Sequence, residues 1–195
     1  MKSSDLYREL RGKLREKQSA NRFAHSVSVG DLAARLGKRH GWSPERARLA
    51  GLLHDYAKEW SPGELRRYVK KHRVAVPEFN FIWETSPNML HAYVSAHIAQ
   101  KKGWIKKKDA LAIASHTLGH PTMGLEQKII YIADMSAPGR SYPEARAVRR
   151  AAMTDLDRAF REALTFKLGW QVKKGKPVHP LPVLVWNRLV CKVKS

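Results

Sequence analysis

The adjacent pair His54-Asp55 is where this sequence first offers chemistry. A neutral imidazole beside an ionised carboxylate presents nitrogen and oxygen donors together, a mixture suited to a divalent transition metal. The apolar run Leu49 to Leu53 carries the pair toward a core, where a buried charge needs a partner. Such a dipeptide also arises by chance, so its company decides what it means. His25 lies upstream, and His91, His116 and Asp134 follow, each on or beside a segment with helical periodicity. His25, His54, Asp55 and Asp134 supply two imidazoles and two carboxylates, which suit iron, manganese or zinc. They suit magnesium poorly, because it prefers an all-oxygen shell. His91 and His116 could hold a second ion, with Asp55 as the bridge. Two cations about 3.5–4 Å apart activate a water and neutralise a phosphoryl group under attack. The expected substrate is therefore anionic.

The remaining histidines read differently. His120 follows His116 by four residues, but Gly119 precedes it and Pro121 follows it. A residue before proline avoids the α conformation, so a loop histidine facing the substrate is expected. His97 falls off the helical face of His91 and reads as structural. His40, His72 and His179 read as surface or packing residues.

The elements that must position these side chains are helical almost throughout. Val29, Leu32, Ala33 and Leu36 share one face. Ser43 can cap the helix that follows Gly41, and Ser61 can cap another with Pro62 at its first position. A further helix runs from Thr154 through Leu156, Phe160, Ala163 and Leu164, with Asp155 and Asp157 near its start and Lys167 near its end, as the helix dipole favours. No alternating runs are joined by a hairpin turn. The expected fold is all-α, with loops near Pro77 to Pro87, Gly119 to Gly124 and Pro138 to Pro143. Residues 1–195 read as a single domain, and residues 173–195, which hold Pro177, Pro180 and Pro182, read as a C-terminal segment packed on the helical body.

Composition narrows the setting. The 195 residues are 43% hydrophobic, enough for one sizeable core, and no run approaches the ~20 apolar residues of a membrane span. The N-terminus lacks the apolar stretch of a secretory signal. The single Cys191 suits a reducing compartment and reads as a small residue on the apolar side of the last segment. A cytoplasmic protein is expected. The formal charge of +20 is concentrated at Arg66, Arg67, Lys70, Lys71 and Arg73, at Lys101, Lys102 and Lys106 to Lys108, and at Lys167, Lys173, Lys174 and Lys176. Such a field attracts polyanions, whether nucleotide phosphates, nucleic acid or an anionic membrane surface. No nucleic-acid recognition motif accompanies it.

The order His25, His54-Asp55, His91, His116, Asp134 resembles the HD-domain metal-dependent phosphohydrolases. Arg22-Phe23-Ala24-His25-Ser26, His54-Asp55-Tyr56-Ala57-Lys58, His116-Thr117-Leu118-Gly119-His120-Pro121-Thr122-Met123 and Tyr131-Ile132-Ala133-Asp134 resemble, within that group, the bacterial YqeK family of symmetrical diadenosine tetraphosphate hydrolases. The likeness runs from about Tyr7 to about Trp186, since Arg140, Tyr142-Pro143, Val148-Arg149, Thr154-Asp155-Leu156 and Lys174-Gly175-Lys176-Pro177-Val178 echo the family's later segments.

That resemblance implies a helical HD bundle with a dinuclear metal site, iron in this family, in its core. It implies metal-activated water attacking a phosphoanhydride and splitting diadenosine tetraphosphate into two ADP. Metal ligands would be His25, His54, Asp55, His91, His116 and Asp134. Asp55 and Lys58 would be catalytic. Arg22, Asp55, Tyr56, Ala57, Lys58, His91, His116, His120, Arg140, Lys176, Pro177 and Val178 would contact the substrate. Two positions depart from the family: Ala137 stands where an acidic residue is usual, and His120 where arginine is common. Both leave the metal set intact and leave the choice of nucleotide open. Alternatives are an HD phosphohydrolase for another nucleotide, or a basic HD protein that senses nucleotides or docks on RNA. A homodimer is compatible with either.

Overall fold

The computed structural model describes the backbone of residues 3–191 and the side chains of residues 5–191, so the ends of the expected 1–195 domain lie outside the described residues. Helices α1 (Ser3–Lys17), α2 (Ala20–His40), α3 (Pro44–Leu53), α4 (Pro62–His72) and α5 (Phe79–Thr85) lead into a 3-10 turn at Pro87–Met89. Helices α6 (Leu90–Lys101), α7 (Lys107–Ala114), α8 (Leu125–Ser136), α9 (Pro143–Ala151), α10 (Leu156–Lys173) and α11 (Pro180–Cys191) follow. No strand occurs among the described residues, and the fold is all-α as expected.

The helix starts are set by short polar side chains that satisfy backbone N–H groups the helix itself leaves free. Ser19 accepts from the Arg22 N–H, Ser43 from Arg46 and Asp155 from Arg158, while Ser61 and Glu64 form a reciprocal capping box. Each such cap stabilises its helix by about 1 kcal/mol. At its other end α2 stops at Gly41, whose positive φ of 89° costs a glycine little.

The pairing of α2 with α3 is the most extensive in the molecule. It depends on two glycines. A Cβ on Gly51 would lie 2.8 Å from the Gly30 Cα and 3.0 Å from the Val29 carbonyl oxygen, and one on Gly30 would lie 2.8 Å from the Arg48 carbonyl oxygen. Only bare backbones fit there, and their contact brings His25 on α2 and His54 at the end of α3 to one depth. Val29, Leu32, Ala33 and Leu36 form the buried face of α2, packing into a main core with Leu53, Ile130, Tyr131 and Phe160. A second core lies under α4 and α6 around Leu65, Val69, Ile82 and Leu90. Tyr56 and Trp104 pack against both, so the segment after His54 runs along the seam.

Several expectations are corrected. Pro77 to Pro87 is not a plain loop: α5 forms inside it because Ile82 can be fully buried in the second core. The C-terminal segment, for which the sequence set only a place against the helical body, is helical over α11, whose Pro180 and Pro182 sit in the first turn, where proline's missing N–H does no harm. Val185 of α11 is buried in the main core. Cys191 is exposed instead of lying on the apolar side. Arg66 and Lys70 lie 5.0 and 4.8 Å from the Trp83 ring centroid, so part of that basic cluster packs on an aromatic face. Lys167 lies six residues before the end of α10, too far inside to serve the helix terminus. No helix of the described residues is long and apolar enough to cross a membrane.

Candidate metal centre

Five elements converge on the seam. His25 comes from α2, and His54 and Asp55 from the end of α3 and the turns after it. His91 comes from the first turn of α6, His116 from just beyond α7, and Asp134 from the last turn of α8. His54, Asp55, His91 and His116 are all at most 3% exposed.

Three of the imidazoles are held in the same way. Nδ1 of His54 faces the Gly51 carbonyl at 2.7 Å and Nδ1 of His116 faces the Ile113 carbonyl at 2.7 Å, while Nδ1 of His91 bonds the Asn88 carbonyl. Each partner lies three residues upstream. A carbonyl only accepts, so the ring proton belongs on Nδ1 and Nε2 keeps its lone pair. This second contact is the usual device that orients a metal-binding histidine.

The Nε2 atoms then gather around two carboxylates. Oδ1 of Asp55 is 3.0 Å from His91 and 3.5 Å from His116, whereas its Oδ2 is 3.4 Å from His54. Oδ1 of Asp134 is 3.1 Å from His25 and 3.7 Å from His54. His91 and His116 present their Nε2 atoms to each other at 3.2 Å. Lone pairs facing lone pairs at such distances repel unless a cation lies among them. Donors bound at about 2.1 Å to one ion sit roughly 3–3.5 Å apart, which is the spacing seen. His54 Nε2 and Asp55 Oδ1 are buried with no hydrogen-bond partner, a costly state that a metal ion would relieve. Two overlapping groups, His25, His54 and Asp134, and His54, Asp55 and His116, share His54 and each have atoms within 4.8 Å of one another, while His91 joins the second through its contacts with Asp55 and His116. Asp55, with one oxygen toward each set of imidazoles, has the disposition of a bridge.

The electrostatics agree. Burial resists a charge on His54, yet Asp55 and Asp134 outweigh it and hold the imidazole up at about 10. Burial pushes His116 down to about 4 and lowers His91, which keeps both neutral. Burial also opposes charge on Asp55 and Asp134, but their histidine neighbours hold both carboxyls well below the usual range. The pocket demands positive charge, which a proton on His54 or a metal ion can supply, beside neutral His91 and His116 and the ionised carboxylates.

Cations ring the donors. Arg22 donates to Asp55 Oδ2 at 2.7 Å, so its guanidinium grips the bridge while its Nε remains unpartnered. Lys58 is 3.4 Å from His91 Nε2. Arg140 donates to Asp134 Oδ1 at 3.3 Å. Lys167 reaches in from α10, 3.5 Å from Asp134 Oδ2 and 3.1 Å from the His116 carbonyl, above the Tyr131 ring. Sequence reasoning missed it. The signal was there: Phe160, Ala163 and Leu164 form a buried face of α10 that position 167 continues, and a lysine on that face is out of place.

Other expected contacts lie further out. Tyr56 meets Lys17 and the edge of Trp104, and Ala57 is fully buried with its N–H donated to Ser95. His120 is exposed, its Nδ1 bonded to Thr122, in the walls of cavities that include none of the metal donors. Lys176 lies 4.7 Å from the Trp170 ring, beside exposed Pro177 and half-buried Val178. Ala137 is fully buried in the main core, so that departure places a small apolar side chain behind the site.

A helical bundle with a buried His and His-Asp cluster defines a class, and residues 22–139 match the HD domain. The chain belongs to the HD domain family and, within it, to the symmetrical bis(5'-nucleosyl)-tetraphosphatases. It is 32% identical over 178 residues to "Bis(5'-nucleosyl)-tetraphosphatase, symmetrical" of Bacillus subtilis (strain 168), covering 91% of this chain and 94% of that protein. It is 30% identical over 179 residues to the protein of the same name from Staphylococcus aureus (strain NCTC 8325 / PS 47), covering 90% and 87%. The crystal structure described as that of a "predicted HD superfamily hydrolase involved in NAD metabolism" from Clostridium acetobutylicum superposes with a TM-score of 0.87 at 29% identity, covering 95% of this chain and 97% of that one.

Proposed function

We propose that this protein hydrolyses dinucleoside tetraphosphates symmetrically, diadenosine tetraphosphate first among them, and releases two nucleoside diphosphates. The observation that carries this reading is Asp55. Its two oxygens face two sets of imidazoles, and four cations, Arg22, Lys58, Arg140 and Lys167, stand around the same cluster. Metal-donor chemistry and polyphosphate-binding charge coincide at one buried point.

The residues that would hold the ions are His25, His54 and Asp134 on one side, His91 and His116 on the other, and Asp55 between. Bound there, a dinuclear centre, here assigned to iron, would polarise phosphoryl oxygens and lower the pKa of water. The chain's own groups do the rest. Arg22 and Asp55 hold each other in place. Lys58, Arg140 and Lys167 offset the charge on the phosphates, with Arg140 able to grip two oxygens at once. Water adds to one of the two inner phosphorus atoms and the central P–O–P bond breaks. One half leaves with the bridging oxygen, and the water oxygen stays on the other.

A cavity of about 480 Å³ beside Arg140 and Lys167, lined by Tyr142, Phe166 and Trp170, suits one nucleoside. Tyr142 and Phe166 stack at 5.2 Å, and Trp170 is 43% exposed, with Lys176 over its ring. A cytoplasmic, reducing setting accords with iron and with the single cysteine. The test is chromatography of early products from protein purified anaerobically with iron, beside a chelator-treated control. ADP as sole first product, and none after chelation, is expected. ATP with AMP would overturn the symmetrical assignment, and turnover of mononucleotides alone would favour a different HD phosphohydrolase.

A further inference from the structure

A second groove, distinct from the aromatic cavity, meets the candidate metal site at His25 and Arg140. A space of about 430 Å³ is walled by Arg22, His25, Ser28, Glu59 and Arg140, so it opens on one of the candidate donors, His25, and on the two arginines that bond Asp55 and Asp134. Another of about 430 Å³ is walled by Arg11, Phe23, Val27, Leu32, Arg35 and Pro138, with Asp31, which is paired with Arg48, at its edge. Ala24 and Ser28 line both, which makes them one groove along α2. Arg140 lines this groove and the aromatic cavity alike and so stands on the divide.

The chemistry changes along the groove in the order a nucleotide would need. Next to the metal donors are the guanidinium groups of Arg22 and Arg140. Farther along, apolar Phe23, Val27, Leu32 and Pro138 offer a floor for a base, and Arg11 lies 5.7 Å from the Phe23 ring. Glu59 is the acidic group in this wall; its two oxygens accept from the Ser19 N–H at 2.9 Å and hydroxyl at 2.6 Å, and Arg22 and Arg140 outweigh its charge beside the donors. A helix rises about 1.5 Å per residue, so the wall from His25 to Arg35 extends roughly 15 Å, the reach of an extended nucleoside diphosphate.

We propose that this α2 groove is the seat of the second nucleoside diphosphate half of the substrate, the base lying against Phe23, Val27 and Pro138. The inference rests on the dinucleoside tetraphosphate reading above. With one half in the aromatic cavity and the other along α2, the central bridging oxygen falls at the metal donors. Cleavage is then symmetrical because the two halves are seated on opposite sides of Arg140.

Ser28→Trp fills the junction of the two spaces, and Ala24→Trp, at an exposed position, does so with less risk to folding; neither replaces a candidate metal donor. Each variant is compared with the wild type on diadenosine tetraphosphate and on adenosine 5'-tetraphosphate, which has a single nucleoside, with iron content measured alongside. A rise of at least tenfold in KM for the dinucleotide, with the mononucleotide's kcat/KM and the iron content unchanged, is expected. Unchanged kinetics on the dinucleotide in either folded variant would overturn the groove assignment, as would equal losses on both substrates. Failure of the wild type to cleave the dinucleotide would instead remove the functional reading.

Discussion

At the scale of single residues, the site is a problem in placing positive charge. Nδ1 contacts to backbone carbonyls commit His54, His91 and His116 to one tautomer, and their free nitrogens face carboxylate oxygens. Lys167 is the residue whose role most needs testing. Burial pulls its ammonium below the usual lysine range while Asp134 pulls it back up, and it bonds both Asp134 and the carbonyl of His116. Lys167→Ala is expected to lower turnover of the dinucleotide by roughly 10–100-fold, the range for groups that support a metal ligand. Iron content should hold, because no donor atom is lost, and Lys167→Arg should recover part of the rate by restoring the charge. A wild-type rate in the alanine variant would exclude Lys167 from the chemistry.

At the scale of elements, the α2 and α3 pairing carries the site. Gly51 serves twice, giving α3 its close approach to Gly30 and lending its carbonyl to His54. Gly51→Ala would push a methyl group into the α2 backbone, and overpacking of this kind costs roughly 1–3 kcal/mol. Because backbone and not a flexible side chain is in the way, the helices must separate. The expected result is a melting temperature several degrees lower together with reduced iron content, read by calorimetry and metal analysis. Stability lost with full iron content would show that the helix contact and the histidine placement are independent.

At the scale of the whole molecule, 37 basic residues against 17 acidic ones give a field that draws in polyphosphates. Part of that charge is engaged locally, by Trp83, by Asp109 with Arg46 and by Asp157 with Lys128. The remainder should act by steering. kcat/KM for diadenosine tetraphosphate is expected to fall with ionic strength while kcat changes little, since steering speeds encounter and not the step that follows. A salt-independent kcat/KM would show that the charge serves something else. RNA retention on filters across the same salt series examines the alternative, and no retention at low salt would retire it.

Sequence alone determined the helical class and the serine caps, and it named the six side chains proposed as metal donors. Periodicity, capping chemistry and ligand type are properties of residue identity and local spacing, and the order of the donors supplied the resemblance. It could not set which donors share an ion, because His25, His54 and Asp134 are brought within bonding distance only by the packing of α2, α3 and α8. Lys167 was read as a helix-end charge because only the full length of α10 and its contact with α8 show where that lysine points. Loop position suggested that His120 faces substrate, yet the chain after Gly119 turns it toward Thr122 and solvent. The α2 groove was out of reach of any local rule, since its walls come from α1, α2 and the loop after α8, segments that meet only because the core pulls them together.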